Sequence, residues 1–237
     1  YLNMAPAQTM RWRETGLGPA AADVEIEGTE PYVVGGHTAS GYWIDDQRAT
    51  TLPGLFAAGD VAGGCPQKYV TGAFVEGRIA AGAAADYAKR RPLKAGSSAA
   101  QRQIMERVRQ LREVPKEIPL FSTDMLEEAM QQVMDEYAGG ITTGYRYTGQ
   151  QLRLARAHIA RLTRLSEGLR AGDAYDLLKL FELQERLLVC RVLIEHLLAR
   201  QETRWHSFAE NLDYPERSRA FDKYVNSRLE HGKVRIV

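Results

Sequence analysis

The sequence predicts a two-part α+β protein, an α/β layer followed by a mostly α-helical bundle. Three observations carry this. From Tyr1 to about Lys94 the chain is rich in Gly, Pro and short apolar runs; around residues 90–100 it turns basic and then Gly- and Ser-rich; beyond that, Leu and Val recur at intervals of three and four through long stretches.

Taken in order, VEIEG (24–28) and YVVGGHTASGYWI (32–44) carry strand and turn signals, and LPGLFAAGD (52–60) reads as a strand ending at Ala57-Ala58-Gly59-Asp60. Gly72–Tyr87 changes to small and apolar residues at helical spacing, which predicts a helix packed closely on a sheet, since Ala and Gly let backbones approach. RRPLKAGSSAA (90–100) reads as a linker. Helices are predicted over Gln101–Glu113, Thr123–Glu136, Thr148–Gly168 and Tyr175–Arg204, with cap chemistry at Ser122-Thr123-Asp124 and punctuation at Gly168 and Gly172. Their natural arrangement is an antiparallel bundle of three or four helices. On the fourth, Leu177, Leu178, Leu180, Phe181, Leu183, Leu187, Leu188 and Val189 read as core, part of which could dock on a partner. From Asn211 onward no single period dominates, so irregular chain with a short terminal strand is expected.

Composition bounds the function classes. With 237 residues, 44% hydrophobic and 26% charged, disorder and fibrous repeats are excluded. Lys plus Arg (31) against Asp plus Glu (30) gives a formal charge of +1, so nothing draws the whole chain toward nucleic acid or an anionic membrane, and no nucleic-acid partner is expected. No apolar run approaches the ~20 residues of a membrane span and no secretory signal opens the chain, so a cytoplasmic location and no membrane span are expected. Cys65 and Cys190 lie far apart without a CxxC spacing and read as ordinary thiols. The opening YLNMAPAQTMRW reads like the middle of a domain, which leads us to expect a fragment whose site is only partly present.

Chemistry concentrates in Thr51–Arg78. Ligands bind at the carboxyl ends of strands in α/β sheets. Small residues at Ala58 and Gly59 would let a cofactor approach the backbone, and an ionised Asp60 could accept hydrogen bonds from sugar or ribityl hydroxyls. The helix that begins near Thr71–Phe74 would offer unpaired N–H groups and the positive end of its dipole to a carbonyl or an anionic ring, with Lys68 adding positive charge. The plainer alternative is that AAGD only closes a turn and that the helix is only close-packed. No GxGxxG-type fingerprint follows an early strand.

GGHTASGYW, a short spacer, TLPGLFAAGD, a turn and a small-residue helix together resemble the carboxyl-terminal FAD-contacting region of the fumarate reductase and succinate dehydrogenase flavoprotein superfamily, which includes L-aspartate oxidases. The resemblance is closer to adenylylsulfate reductase alpha subunits, through the Lys in the turn, EGRIAA, MDEY (134–137), ETRW (202–205) and DYPE (213–216). It implies a carboxyl-terminal portion of an FAD-dependent oxidoreductase, with residues 1–29 closing a capping or substrate domain, 30–95 the last part of the FAD-binding domain, and 96–237 a helical domain. The implied partners are a small-molecule substrate, adenylylsulfate going to sulfite and AMP, and an iron–sulfur subunit, because no cysteine cluster is present here.

Site residues carry over position by position. Gly59 and Asp60 match the strand end that holds the flavin ribityl chain; Ala73 and Phe74 match the Ser-Leu of the relatives' NSL segment, with Gly72 replacing the Asn; Gly36, His37 and Thr38 match the His-Thr element beside the ring and substrate. His37 is thereby the catalytic or substrate-contacting candidate. Lys68 stands where dicarboxylate-reducing members carry an Arg, and the His of their HGANR turn is absent, which weakens a fumarate or succinate reading. FAD is expected in the whole enzyme and not in the isolated fragment. A noncatalytic helical module that binds a partner is the reading from another class. His158 and His196 read as surface or packed histidines, Arg204 as an ion-pair former or a reach toward the active site, and Arg11-Trp12-Arg13 as surface.

Overall fold

The computed structural model describes residues 6–18, 21, 40–64, 70–91, 98–112, 120–204 and 210–237. VEIEG, Gly36, His37, Thr38, Cys65, Lys68 and the centre of the expected linker lie outside these residues. The chain divides into two compact units, Tyr1–Tyr32 and Val33–Val237.

The first unit contains α1, Pro6–Thr15, a helix that the Gly- and Pro-rich pattern does not predict. Proline suits its first position, where an N–H has no helical acceptor in any case. The Thr15 hydroxyl donates to the Arg11 carbonyl at 2.9 Å, and the helix stops before Gly16 at φ 67°. Arg11 and Arg13 are exposed, as surface residues should be.

In the second unit, residues 40–64 form two isolated bridges, Tyr42 with Ala62 (parallel) and Ala49 with Phe56 (antiparallel), rather than the strand expected to end at Asp60. A strand needs a ladder of partners along its edge, and here each segment finds one. Helix α2 then runs Val70–Arg90, burying Gly72, Glu76 and Ala80 at every fourth position. Helix α3 spans Ser98–Arg112.

The main core belongs to α4 (Thr123–Tyr137), α5 (Gly149–Glu167) and α6 (Ala174–Ala199). The Ser122 hydroxyl accepts the Met125 N–H, as the cap chemistry expected at 122–124 implies, and Thr148 with Gln151 forms a capping box at the start of α5 that the sequence reading does not name. Buried Leu152, Ala155, Ile159 and Leu162 of α5 meet Leu180, Leu183, Leu187 and Ile194 of α6 and Leu126 and Met130 of α4. Each fully buried Leu or Ile contributes about 1.5–3 kcal/mol. Ion pairs fix the directions: Asp124 with Lys179 and Glu127 with Arg186 run α4 along α6, while Arg156 with Glu195 sets α5 against it. Helix α3 joins through Leu111, 1% exposed.

The expected α6 core is corrected in part. Leu178, Leu188 and Val189 are 53%, 36% and 64% exposed, because eight apolar residues crowded into the helix pass around its circumference while α4 and α5 cover one stripe. The helix also ends at Ala199, short of Arg204. Beyond it, β2 (Glu210–Asn211) pairs in parallel with β1 (Arg146–Tyr147), the short strand before α5, and β3 (Ser227–Glu230) pairs antiparallel with β4 (Lys233–Ile236). The expected single terminal strand is thus a hairpin, turned through His231 and Gly232 at φ 48° and 74°, the left-handed pair that a two-residue hairpin loop requires.

Candidate functional site

The segment before α2 is a braced turn. Asp45 Oδ1 accepts the N–H groups of Gln47 and Ala49, both at 2.9 Å, and this holds Arg48 at φ 64°. From there the Arg48 side chain crosses to α2. Its Nε donates to Glu76 Oε2, and its second guanidinium nitrogen donates to Glu76 Oε1 at 3.0 Å. The Glu76 side chain is 7% exposed, so the two-pronged pair works largely out of water, where an unpaired carboxylate would be costly. A second brace lies further along α2. The Phe56 and Tyr87 rings meet edge to face at 6.0 Å, and a Cβ on Gly54 (φ 89°) would stand 3.2 Å from the Tyr87 ring.

These braces set the course of residues 57–63. Ala57 and Ala62 are buried beside Ile44. The Tyr42 N–H donates to the Val61 carbonyl at 2.7 Å and the Gly63 N–H to the Tyr42 carbonyl at 2.8 Å, an approach so close that a Cβ on Gly41 would fall 2.5 Å from the Ala62 carbonyl carbon. Gly59, Asp60 and Val61 form a single 3-10 turn, with Gly59 buried at φ 70° and Asp60 exposed. A Cβ on Gly59 would stand 3.3 Å from the Cβ of Ala73. The sequence-predicted Gly59, Asp60, Gly72 and Ala73 are therefore brought together, at the end of α2 whose first-turn N–H groups have no acceptor within the helix. Phe74 is 76% exposed, and Val61 and Val70 are exposed beside these positions in sequence.

Arg48 and Glu76 are the positions that sequence reasoning missed. The signal was available: a Glu four residues after Gly72 and four before Ala80 lies on the buried stripe of a small-residue helix and must find a cation.

The ETR and DYPE motifs meet elsewhere. The Glu202 side chain is fully buried and accepts from Arg200 Nη1 and Arg204 Nε, both at 2.5 Å, and from the Ser218 N–H at 3.0 Å. Burial alone would raise its carboxyl; the hydrogen bonds from Arg204, Ser218 and Arg200 outweigh this and hold it below the usual carboxylate range. Thr203 Oγ1 donates to the Tyr214 carbonyl at 2.9 Å and accepts the Asn211 N–H at 2.9 Å, while Asp213 accepts the Gly149 N–H at 2.7 Å and so places a carboxylate at the start of α5. Arg204 also pairs with Asp222 at 2.9 Å, the structural role among the two expected for it. Tyr147 lies in the core, its hydroxyl pushed up to about 12 by burial. Of the two histidines, His158 stacks on Tyr137 at 5.6 Å, and His196 shares a 2.9 Å hydrogen bond with Ser227 Oγ; burial, then the Arg200 charge, lowers its pKa. No group of metal-ligating side chains occurs among the described residues, nor any helix long and apolar enough to cross a membrane.

No family model matches the chain. It is similar along nearly its whole length to the adenylylsulfate reductase alpha subunit of Megalodesulfovibrio gigas, at 26% identity over 267 aligned positions that cover 98% of this chain and 40% of that one. Adenylylsulfate reductase from Archaeoglobus fulgidus superposes with a TM-score of 0.72 at 30% identity, over 80% of this chain and 32% of that one. E. coli quinol fumarate reductase shares the fold, with a TM-score of 0.69 at 21% identity over 85% of this chain and 36% of that one. The resemblance implied by the motifs thus holds in sequence and in fold, and the chain spans about two fifths of the length of the curated relative it matches.

Proposed function

We propose that this chain forms the carboxyl-terminal part of an FAD-dependent oxidoreductase of the adenylylsulfate reductase type, with residues 30–95 completing the flavin-binding domain and 96–237 forming a helical domain. The observation that carries the proposal is the approach of Gly59 to Ala73, which brings the turn that carries Asp60 against the start of α2.

The residues present fit a flavin. A side chain at Gly59 would crowd Ala73, so the glycine lets the turn that carries Asp60 close onto the start of α2. Asp60 supplies a hydroxyl acceptor, and the Gly72 N–H, in the first turn of α2, supplies a donor to a ring carbonyl; because the helix already starts at Val70, the Phe74 N–H is spent inside it. FAD, when bound, supplies the two-electron chemistry. The chain's own residues bind and orient it: Asp60 the ribityl chain and the start of α2 the pyrimidine side of the ring, with Gly36 and Thr38 assigned to the ring's surroundings by the matched motif alone. Through the matched motifs, His37 contacts the substrate and Lys68 offers a compact positive charge to its anionic group, in place of the two-pronged grip of an arginine. A small-molecule substrate, adenylylsulfate, and an iron–sulfur electron-transfer subunit follow from the same resemblance.

The test uses the intact enzyme that carries this chain, together with its electron-transfer partner, on adenylylsulfate and on fumarate. Release of sulfite and AMP is expected, with Asp60→Ala weakening FAD retention at least tenfold in a fluorescence titration. Fumarate turnover without adenylylsulfate turnover, or full FAD retention by D60A, overturns the reading.

A further inference from the structure

Helix α5 carries arginines that its own fold does not use. Leu152, Ala155, Ile159, Leu162 and Ser166 are buried at intervals of three and four. At 100° per residue the opposite side of the helix passes through Arg153, Ala157, Arg161 and Arg164, and all four are exposed. Among the described residues none of these three arginines makes an ion pair or a hydrogen bond, whereas Arg156 on one flank pairs with Glu195 at 3.6 Å. The first turn of α5 holds no acid, and Arg161 and Arg164, three apart, repel each other. The same bundle pairs charge elsewhere, as Lys179 with Asp124 and Arg186 with Glu127 show.

We propose that the Arg153–Arg161–Arg164 stripe of α5 is a docking surface for an acidic segment of a partner protein. The stripe extends roughly 16 Å at 1.5 Å per residue, enough for several carboxylates in an extended or helical segment. Guanidinium groups grip carboxylates with two parallel hydrogen bonds, which suits a protein acid. Ala157 and the 45% exposed Leu154 lie within the stripe and offer apolar ground to the partner's aliphatic side chains. Duplex nucleic acid fits less well, because the exposed apolar Leu154 beside this single row of three arginines offers contact that a phosphate backbone does not use. The proposal stands independently of the flavin reading.

The test is fluorescence anisotropy of the full chain with a labelled 16-residue Glu-Leu-Glu-Ala repeat peptide. Saturable binding is expected, weakened at least tenfold by Arg153→Glu/Arg161→Glu/Arg164→Glu and steeply by added salt. The triple variant Arg90→Glu/Arg102→Glu/Arg112→Glu, with the same charge change on other exposed arginines, should bind within twofold of the parent. Absence of binding, equal loss in both triples, tighter binding of a 16-base-pair DNA duplex, or self-association of the chain that the α5 triple abolishes would each overturn the proposal. Should the α5 triple fail to fold, Arg161→Gln/Arg164→Gln takes its place, with at least a threefold loss expected and an unchanged affinity counting against.

Discussion

Arg48 and Glu76 form a two-pronged ion pair across 28 residues of sequence, joining a turn before the 3-10 segment to the buried stripe of α2. The acid is the more deeply buried member, with a side chain 7% exposed against 20% for the arginine. That asymmetry orders the effects of breaking the pair.

Arg48→Ala takes both guanidinium bonds from a buried carboxylate and should cost on the order of 3 kcal/mol, while Glu76→Gln leaves a guanidinium that can still reach water and should cost about 1–2 kcal/mol. Replacing both by apolar residues, Arg48→Met with Glu76→Leu, should recover part of the loss. Urea unfolding midpoints check the order; a double variant less stable than R48A shows that the pair contributes more than charge satisfaction.

The glycines should separate into two classes. Gly41→Ala forces a Cβ to 2.5 Å from backbone and Gly59→Ala puts one 3.3 Å from Ala73 at φ 70°, so losses of several kcal/mol and of about 1–2 kcal/mol are expected in that order. At Gly82, in the interior of α2, nothing lies within 4 Å, so Gly82→Ala should raise stability by about 0.5–1 kcal/mol. Thermal melts of the three variants read both signs.

Acid should loosen the connection around Glu202. Its folded pKa lies below the ordinary 4.5, so the unfolded chain takes up the proton first; the stabilisation is present above pH 4.5 and fades as pH falls through the folded value. Amide exchange at Ser218, whose N–H donates to the carboxylate, should accelerate over that range. Glu202→Gln should flatten this dependence and cost about 2–4 kcal/mol at neutral pH, because two arginines lose their buried partner.

Cys190 should be slow to react. Burial, then the nearby Glu127 charge, pushes its thiol up to about 11, so little thiolate exists at pH 8. Iodoacetamide labelling followed by mass spectrometry should proceed at least tenfold faster in urea than in the folded chain. Equal rates would place the thiol in water.

What could be read from the sequence follows the range of the interactions involved. Helices α4 and α5 were predicted nearly to the residue, because a cap hydroxyl and a three-and-four apolar repeat act within one turn or two. The meeting of Gly59 with Ala73 was reachable only through the family pattern, since nothing local in GLFAAGD says what packs on it. The β3–β4 hairpin was missed although SRLE-HG-KVRI alternates on both sides of a dipeptide that can take positive φ; its apolar residues are too few to stand out. The core of α6 was overestimated because a helix that is apolar on most sides does not declare which side its neighbours cover. Arg48 with Glu76 needed the fold, for only the fold shows which cation a buried acid finds.

The stitching of residues 200–222 governs where the protein tolerates shortening. A stop codon after Asp222 would delete the terminal hairpin and the contacts it makes with His196 and Arg191, yet leave the Glu202 carboxylate bonded to Ser218 and the Thr203 hydroxyl bonded to Tyr214 and Asn211. A stop after Arg204 would instead unplug Tyr147 from its strand neighbour and take Asp213 from the head of α5, damaging the bundle from a site far along the chain. Trimmed versions for crystallisation or fusion should therefore keep everything through Asp222.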